Sequence, residues 1–278
     1  MKIKNLFLGV ATAAMAMVAA SCSNIDEGDR LIYVKPAEVG RAVLIEDLTG
    51  QSCINCPTGT DIINGIIQTY GEDNVIAVGI HCGPLGFKGN AKRVGLMTDT
   101  GDEYYKKWAN GTNLGQPSAV FNRKIGPSDN FNNWAAEVGL IISEKANLSV
   151  DIANAYDAKT RKLTIKVGAY GVNDTVSVSG KLQVWIVEDG IKAMQKMPDG
   201  SANQDYVHNH VFRAAVNGTW GEEVTVKEGE TTTKQYPYVL PETWNAENIS
   251  VVAFVYNDKG VENVAKKHIV EHEEETGK

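Results

Sequence analysis

Two cysteines separated by two residues, Cys53 and Cys56 in TGQSCINCPTG, are the feature of the sequence best suited to do chemistry. A strand-like apolar run, AVLIEDL, precedes them, and isoleucines at helical spacing follow, with Pro57 suited to a first helical turn. This order places Cys53 at a helix N-terminus, where free N–H groups and the helix dipole stabilise a thiolate. We therefore predict Cys53 as the nucleophile and Cys56 as the thiol that resolves its mixed disulfides.

The pair and its surroundings resemble the site of thioredoxin-like proteins, because GQPSAVF supplies a proline just before a later strand. The resemblance implies a cis peptide at Pro117, with the backbone of Gln116 binding an extended peptide substrate. It also implies a buried acid at Asp47, whose neighbour Glu46 points to the opposite face of the strand. Cys53, Cys56, Pro117 and Asp47 are thus the predicted catalytic residues.

Other interpretations of the cysteines remain open. A Cys-x-x-Cys pair can be a permanent structural disulfide, and with His81 and Cys82 it could approach a zinc site. His208 and His210 would face the same side of a strand, but no third ligand is evident beside them. We predict no metal and no cofactor, and Cys82 as a buried thiol.

The N-terminus predicts export and a lipid anchor. Residues 1–21 have the form of a signal peptide, with lysines at positions 2 and 4 followed by an apolar stretch that is short for a membrane span. Small residues lead into Cys22, as in bacterial lipoproteins, so Cys22 is the predicted lipidation site. Residues 22–40 form a predicted tether, and its acidic cluster resembles a surface-export signal.

The charge balance excludes nucleic acid as a partner. The chain has 27 Lys and Arg against 34 Asp and Glu, a net charge of −7. Phosphate binding needs clustered basic residues, and the excess of acidic residues in this chain argues against such clusters.

The hydrophobic period changes along the chain. Residues 41–146 alternate strand-like and helical patterns, whereas residues 147–270 alternate apolar and polar positions between turns. We predict an α/β thioredoxin-like domain followed by an all-β, Ig-like sandwich and an acidic tail at 271–278. Residues 122–130 leave little room for a further strand in the first domain.

The whole mature chain resembles the outer membrane protein 28-related lipoproteins of Bacteroidota. LTGQSCINCP, GQPSAVFNR, YVHNHVFR and VVAFVYN carry the resemblance. It implies a lipid-anchored outer-membrane or cell-surface protein, without a settled activity. A separate triplet, Asp-Thr-Val, resembles an O-glycosylation sequon and marks Thr175.

Two functions follow from these features. The first is thiol–disulfide exchange with thiols of exported proteins. The second is a non-enzymatic surface protein or adhesin that binds a host or surface ligand and keeps Cys53–Cys56 as a structural disulfide.

Overall fold

The computed structural model describes residues 40–172 and 177–270, so Cys22, Thr175, the acidic cluster and the tail lie outside the described residues. The α-helices are α1 (Cys56–Tyr70), α2 (Asp99–Ala109) and α3 (Trp134–Ile142). The strands are β1 (Val43–Thr49), β2 (Val75–His81), β3 (Ser118–Phe121), β4 (Ile125–Ser128), β5 (Leu148–Asp157), β6 (Lys162–Gly171), β7 (Val178–Glu188), β8 (Ile191–Lys196), β9 (Ala202–His208), β10 (Val211–Ala215), β11 (Glu222–Val226), β12 (Thr231–Val239), β13 (Ile249–Asn257) and β14 (Gly260–His268).

One nine-stranded mixed sheet contains strands from both halves of the sequence. Its order is β14-β13-β7-β10-β2-β1-β3-β4, and β11 pairs with β7. β1 runs parallel to β2 and antiparallel to β3. The halves meet where β10 runs beside β2, at the single register position Val211↔Gly79.

β1 lies inside the sheet because both of its faces are apolar. Val43 and Ile45 pack with α1 and α3 on one face. Leu44 and Leu48 point to the other face, where they belong to the same core cluster as residues of α2. A strand buried on both faces appears in the sequence as a continuous apolar run, as AVLIEDL does.

The predicted fold class, an α/β thioredoxin-like domain followed by a separate Ig-like sandwich, was wrong. Trp185, Phe212 and Phe254 of the second half lie in the same core cluster as β1, β2 and α2. The physical reason lies in β7, where every residue from Leu182 to Glu188 is buried. Such a strand needs cover on both faces, so it joins the large mixed sheet.

The remaining strands form two smaller sheets. The three-stranded sheet β12-β6-β5 buries its apolar face against residues of β7 and β13. β8 and β9 form a separate hairpin. Across the residues described, no helix is both long and apolar enough to span a membrane.

The segment thought too short for a further strand contains β4. β3 and β4 are joined by a three-residue loop, 122–124, in which Asn122 and Arg123 have φ of 47° and 51°. Two successive left-handed residues are typical of the tightest hairpin turns, so very little sequence is needed.

Candidate functional site

Cys53 and Cys56 form a disulfide at the N-terminus of α1. Cys56 is the first residue of the helix, and Pro57 occupies the first turn. The free amides of a helix's first turn have no partner within the helix, so the positive end of the helix dipole lies at this disulfide. Both cysteines are only 2% exposed.

The loop before β3 lies against the disulfide. The Gln116–Pro117 peptide is cis, and Cys53 Sγ lies 3.3 Å from the Gln116 carbonyl oxygen. Pro117 also packs against α1 at Gly59, where an added Cβ would lie 2.9 Å from Pro117 Cγ. Glycine at this helix position therefore lets the proline approach the cysteine pair.

The Gln116 side chain is occupied by contacts within the protein. Its Nε2 donates to the carbonyl oxygens of Thr49 at 2.8 Å and Cys82 at 3.0 Å. Its Oε1 accepts from the Leu85 amide at 3.3 Å. These bonds fix the loop, and any binding of a peptide would use the Gln116 backbone.

The two acids on β1 have different surroundings. Glu46 is paired with Arg123 at 3.0 Å on one face of the strand. Asp47 points to the other face and lines a cavity together with Cys56. Asp47 is 4% exposed, and burial raises the pKa of its carboxyl to about 7. Asp47 is therefore the acid on the cysteine side of the strand.

The cavity behind Cys56 measures about 30 Å³ and is lined by both halves of the chain. The first half contributes Asp47, Thr49, Cys56, Pro57, Thr60, Gly79 and His81, and the second half contributes Gln195, Tyr206, His208 and Asn209. Sequence reasoning missed this second group. The YVHNH motif was a signal for polar side chains, but nothing indicated that they would reach the cysteines.

His208 and His210 do not share a site. The rings of His208 and His81 lie 5.1 Å apart at the cavity. His210 lies beyond the end of β9 with a φ of 56°, and its Nδ1 is 3.1 Å from Asp189. The described part of the chain contains no group of three or more His, Cys, Asp or Glu side chains arranged to hold a metal.

Burial keeps both cavity histidines neutral. It lowers the pKa of His208 to about 4, although hydrogen bonds with the Ala193 and Met194 backbone oppose that shift. It also lowers the pKa of His81 far below its usual value, and His208 and Arg213 lower it further by charge repulsion.

The β8–β9 hairpin is attached to the loop that contains the cysteines. Gln195 Nε2 donates to the Cys53 carbonyl at 2.8 Å and to the Gly50 carbonyl at 3.3 Å. The Lys196 amide donates to the Gln51 carbonyl at 2.9 Å. The second half thus fixes the backbone beside the disulfide, which no pattern around Gln195 indicated.

Cys82 is a buried free thiol at the end of β2. Burial raises its pKa well above the usual value, and the nearby Asp47 and Asp102 carboxyls raise it further. The thiolate is the reactive form of cysteine, so Cys82 is unreactive in the folded protein.

Known proteins resemble this chain over different extents. HBP35 of Porphyromonas gingivalis has a similar fold, with a TM-score of 0.60 and 15% identity over 84% of this chain and 77% of that one. A domain of the outer membrane lipoprotein Omp28 from the same organism is 28% identical over 45% of this chain and 88% of that one, with a TM-score of 0.33. No curated protein matches the sequence.

The family comparison covers the larger part of the chain. Residues 101–273 match the family model described as outer membrane protein Omp28. This range begins in α2 and includes the cis proline Pro117, the β8–β9 hairpin and both cavity-lining residues of β9. Because the match spans more than half of the 278 residues, the chain belongs to the Omp28 family and is an outer-membrane protein.

Proposed function

We propose that this outer-membrane protein exchanges disulfides with exported proteins through Cys53 and Cys56. The observation that supports the proposal most is that a disulfide, a cis-proline loop and a buried acid meet at one helix N-terminus. The disulfide has a backbone carbonyl 3.3 Å from Cys53 Sγ on one side and a cavity shared by Cys56 and Asp47 on the other. A purely structural disulfide does not need a buried acid behind it.

Cys53, Cys56 and Asp47 have separate roles in the exchange. A substrate thiolate attacks Cys53 Sγ, the Cys53–Cys56 bond breaks, and Cys56 leaves as a thiolate. Asp47, whose pKa of about 7 leaves it largely protonated in mildly acidic solution, gives that thiolate its proton. A second substrate thiolate then attacks the substrate sulfur of the mixed disulfide, so that Cys53 leaves as a thiolate and the substrate is released oxidised. In the reverse of the first step, Asp47 accepts the proton of Cys56 as Cys56 attacks Cys53 Sγ, and the substrate leaves as a thiolate.

A second candidate is a surface binding protein in which the disulfide is structural. The burial of both cysteines to 2% exposure favours it, because a protein substrate must reach Cys53 Sγ. Exposed Ile54 and Asn55 lie between the cysteines, so a small movement of this turn would open access to the sulfur.

Trapping of mixed disulfides separates the two candidates. In the Cys56→Ser variant the resolving thiol is absent, so covalent complexes with exported proteins should accumulate through Cys53. Cys53→Ser should give none, and Cys82→Ser in the Cys56→Ser background should leave them unchanged. Non-reducing gels of intact cells measure the complexes. If Cys56→Ser traps nothing while the wild-type disulfide stays oxidised, the exchange function is wrong and the binding protein replaces it.

We propose that Cys22 carries the lipid that holds the protein at the membrane. The predicted signal peptide and the small residues before Cys22 support this assignment. Cys22→Ala should move the protein from the membrane fraction to the supernatant after cell lysis. Cys82→Ala is the matched control and should remain with the membrane; unchanged detergent partitioning of Cys22→Ala would refute the anchor.

A further inference from the structure

The cavity behind Cys56 contains polar atoms that the fold does not satisfy. Asp47 Oδ1, His81 Nδ1 and His208 Nε2 have no hydrogen-bond partner among the residues that the structure describes. The three residues are 4%, 4% and 5% exposed, and all three line this cavity. Leaving a buried polar atom unsatisfied costs about 1–3 kcal/mol. Three such atoms around one space therefore indicate water.

The size and shape of the cavity suit a short chain of water molecules. A volume of about 30 Å³ holds one or two waters, and each buried water needs two to four polar partners. Gly79 is the register partner of Asp47 on β2 and lines the same cavity, where it contributes no side chain to fill the space beside the carboxyl. Thr49 and Thr60 supply further hydroxyl groups to the same lining.

A route to the surface continues from His208. The ring of Tyr206 lies 4.8 Å from the ring of His208, and Tyr206 is only partly buried. Asp61 of α1 raises the pKa of Tyr206 together with Asp47, after burial as the main cause. The titratable groups around the route are thus Asp47, His81, Tyr206, Asp61 and, on β10, Arg213.

We propose that His208, from the second half of the chain, passes protons between Asp47 and solvent through water in this cavity. The proposal rests on the exchange function proposed above and assigns His208 a positioning and relay role. His208 touches neither sulfur atom in that role. Its backbone hydrogen bonds leave Nε2 as the ring atom without a partner.

The proton balance shows why a relay is needed. When dithiothreitol reduces the disulfide, its first sulfur bonds to Cys53 Sγ and Cys56 takes the proton of Asp47. Its second thiolate then displaces Cys53 and closes the cyclic disulfide, so the reagent is oxidised by two electrons and the protein gains two thiol protons. Asp47 remains as a buried carboxylate and must be reprotonated. The His208 ring keeps its proton on the nitrogen that bonds to the Ala193 and Met194 backbone, so Nε2 takes a proton from one water and returns it to the water beside Asp47.

Reduction kinetics of the full mature protein test the relay. We expect His208→Gln to slow reduction by dithiothreitol about tenfold or more, since positioned acid–base groups contribute about 10²–10⁴-fold. The solvent deuterium isotope effect should rise, because proton delivery becomes limiting. The reduction potential and melting temperature should stay at the wild-type values. His210→Gln removes a neighbouring imidazole that does not line the cavity and should change neither the reduction rate nor the isotope effect.

Tyr206→Phe provides a second variant that keeps the ring and removes the hydroxyl at the exit. It should slow reduction less than His208→Gln and raise the isotope effect in the same direction. If His208→Gln retains the wild-type rate and isotope effect, the relay is overturned. A rate loss that is matched by a shifted potential or a lower melting temperature also overturns it, because such a change means a structural role.

The dithiothreitol kinetics test the relay independently of the trapping experiment, which tests exchange with exported proteins. Dithiothreitol opens the disulfide whether or not an exported protein does so. Slow, isotope-sensitive reduction of His208→Gln without trapped protein complexes would keep the relay and refute exchange with proteins. A wild-type disulfide that dithiothreitol opens only after unfolding would refute both.

Discussion

At the scale of single residues, Asp47 is an ionisable group placed where its charge is unfavourable. Burial raises its pKa from 3.8 to about 7, so folding favours the protonated acid. The stability associated with the neutral carboxyl is complete below about pH 4. It is lost as the pH rises through about 7, where the folded protein must ionise a buried group.

Asp47→Asn should therefore stabilise the protein in alkaline solution. A shift of about three pKa units corresponds to at most about 4 kcal/mol in the free energy of unfolding. The gain should be near that limit at pH 8 and near zero at pH 4, as measured by urea unfolding across this range. Asp61→Asn, on the exposed side of α1, should change stability by less than about 0.5 kcal/mol at either pH. Parallel pH profiles for wild type and Asp47→Asn would contradict the argument.

The sequence placed Asp47 and Glu46 on opposite faces of a strand because side chains alternate along it. The alternation alone did not show which acid would lie beside the cysteines. The ion-pair partner of Glu46 decides this. Arg123 takes Glu46 into a buried ion pair, so Asp47 faces the cavity. His208 could not be assigned in the same way, because its position depends on a hairpin that reaches the cavity from a distant part of the chain.

At the scale of elements, the fit of α1 against Pro117 depends on one glycine. Gly59→Ala should destabilise the protein by about 1–3 kcal/mol, since its Cβ would lie 2.9 Å from Pro117 Cγ and the packed site must shift. Gly65→Ala in the same helix meets nothing within 4 Å and should stabilise by up to about 1 kcal/mol. Denaturant midpoints of the two variants measure the difference. Equal midpoints would show that α1 moves away from Pro117 without cost.

The helices were more predictable than several strands. The helical spacing of apolar residues predicted α1 and α3, and the structure contains both helices. The same held for strands with long apolar runs, such as β7 and β13. β8 and β9 form a largely polar hairpin outside the main sheets, so their pattern gave no signal of a buried face.

At the scale of the whole molecule, Arg123 joins the two halves of the chain. Its guanidinium pairs with the fully buried Glu46 and lies 5.5 Å from the Trp185 ring, 4.9 Å from Phe254 and 4.3 Å from Tyr256. The charge from the first half is thus enclosed by aromatic side chains of the second. Neither half can form this cluster alone.

Arg123→Gln should cost about 3–5 kcal/mol in the free energy of unfolding, because it leaves Glu46 buried without a cation. Lys124→Gln breaks a half-exposed ion pair with Glu144 and should cost no more than about 1 kcal/mol. Urea unfolding monitored by tryptophan emission and by far-UV circular dichroism measures both variants. A small loss for Arg123→Gln would contradict the argument that Glu46 depends on this cation.

The arrangement of the halves was the least predictable part of the fold. The change of hydrophobic period near residue 146 was evident in the sequence, and the segment boundaries remain a prediction. The pattern could not show that strands on either side of this point share a core. β1 and β7 are buried on both faces, so other elements must cover them. The hydrophobic period does not identify which elements these are.

The position of β1 also determines how the fold carries mechanical load. β1 begins three residues after Gly40 and is bonded to β2 along its whole length on one edge and to β3 on the other. A pull along the axis of β1 loads the hydrogen bonds of both edges in shear, so they resist the pull together. An edge strand would peel away one bond at a time. The described strand closest in sequence to the predicted anchor is therefore one that is bonded on both edges and resists a pull along its length.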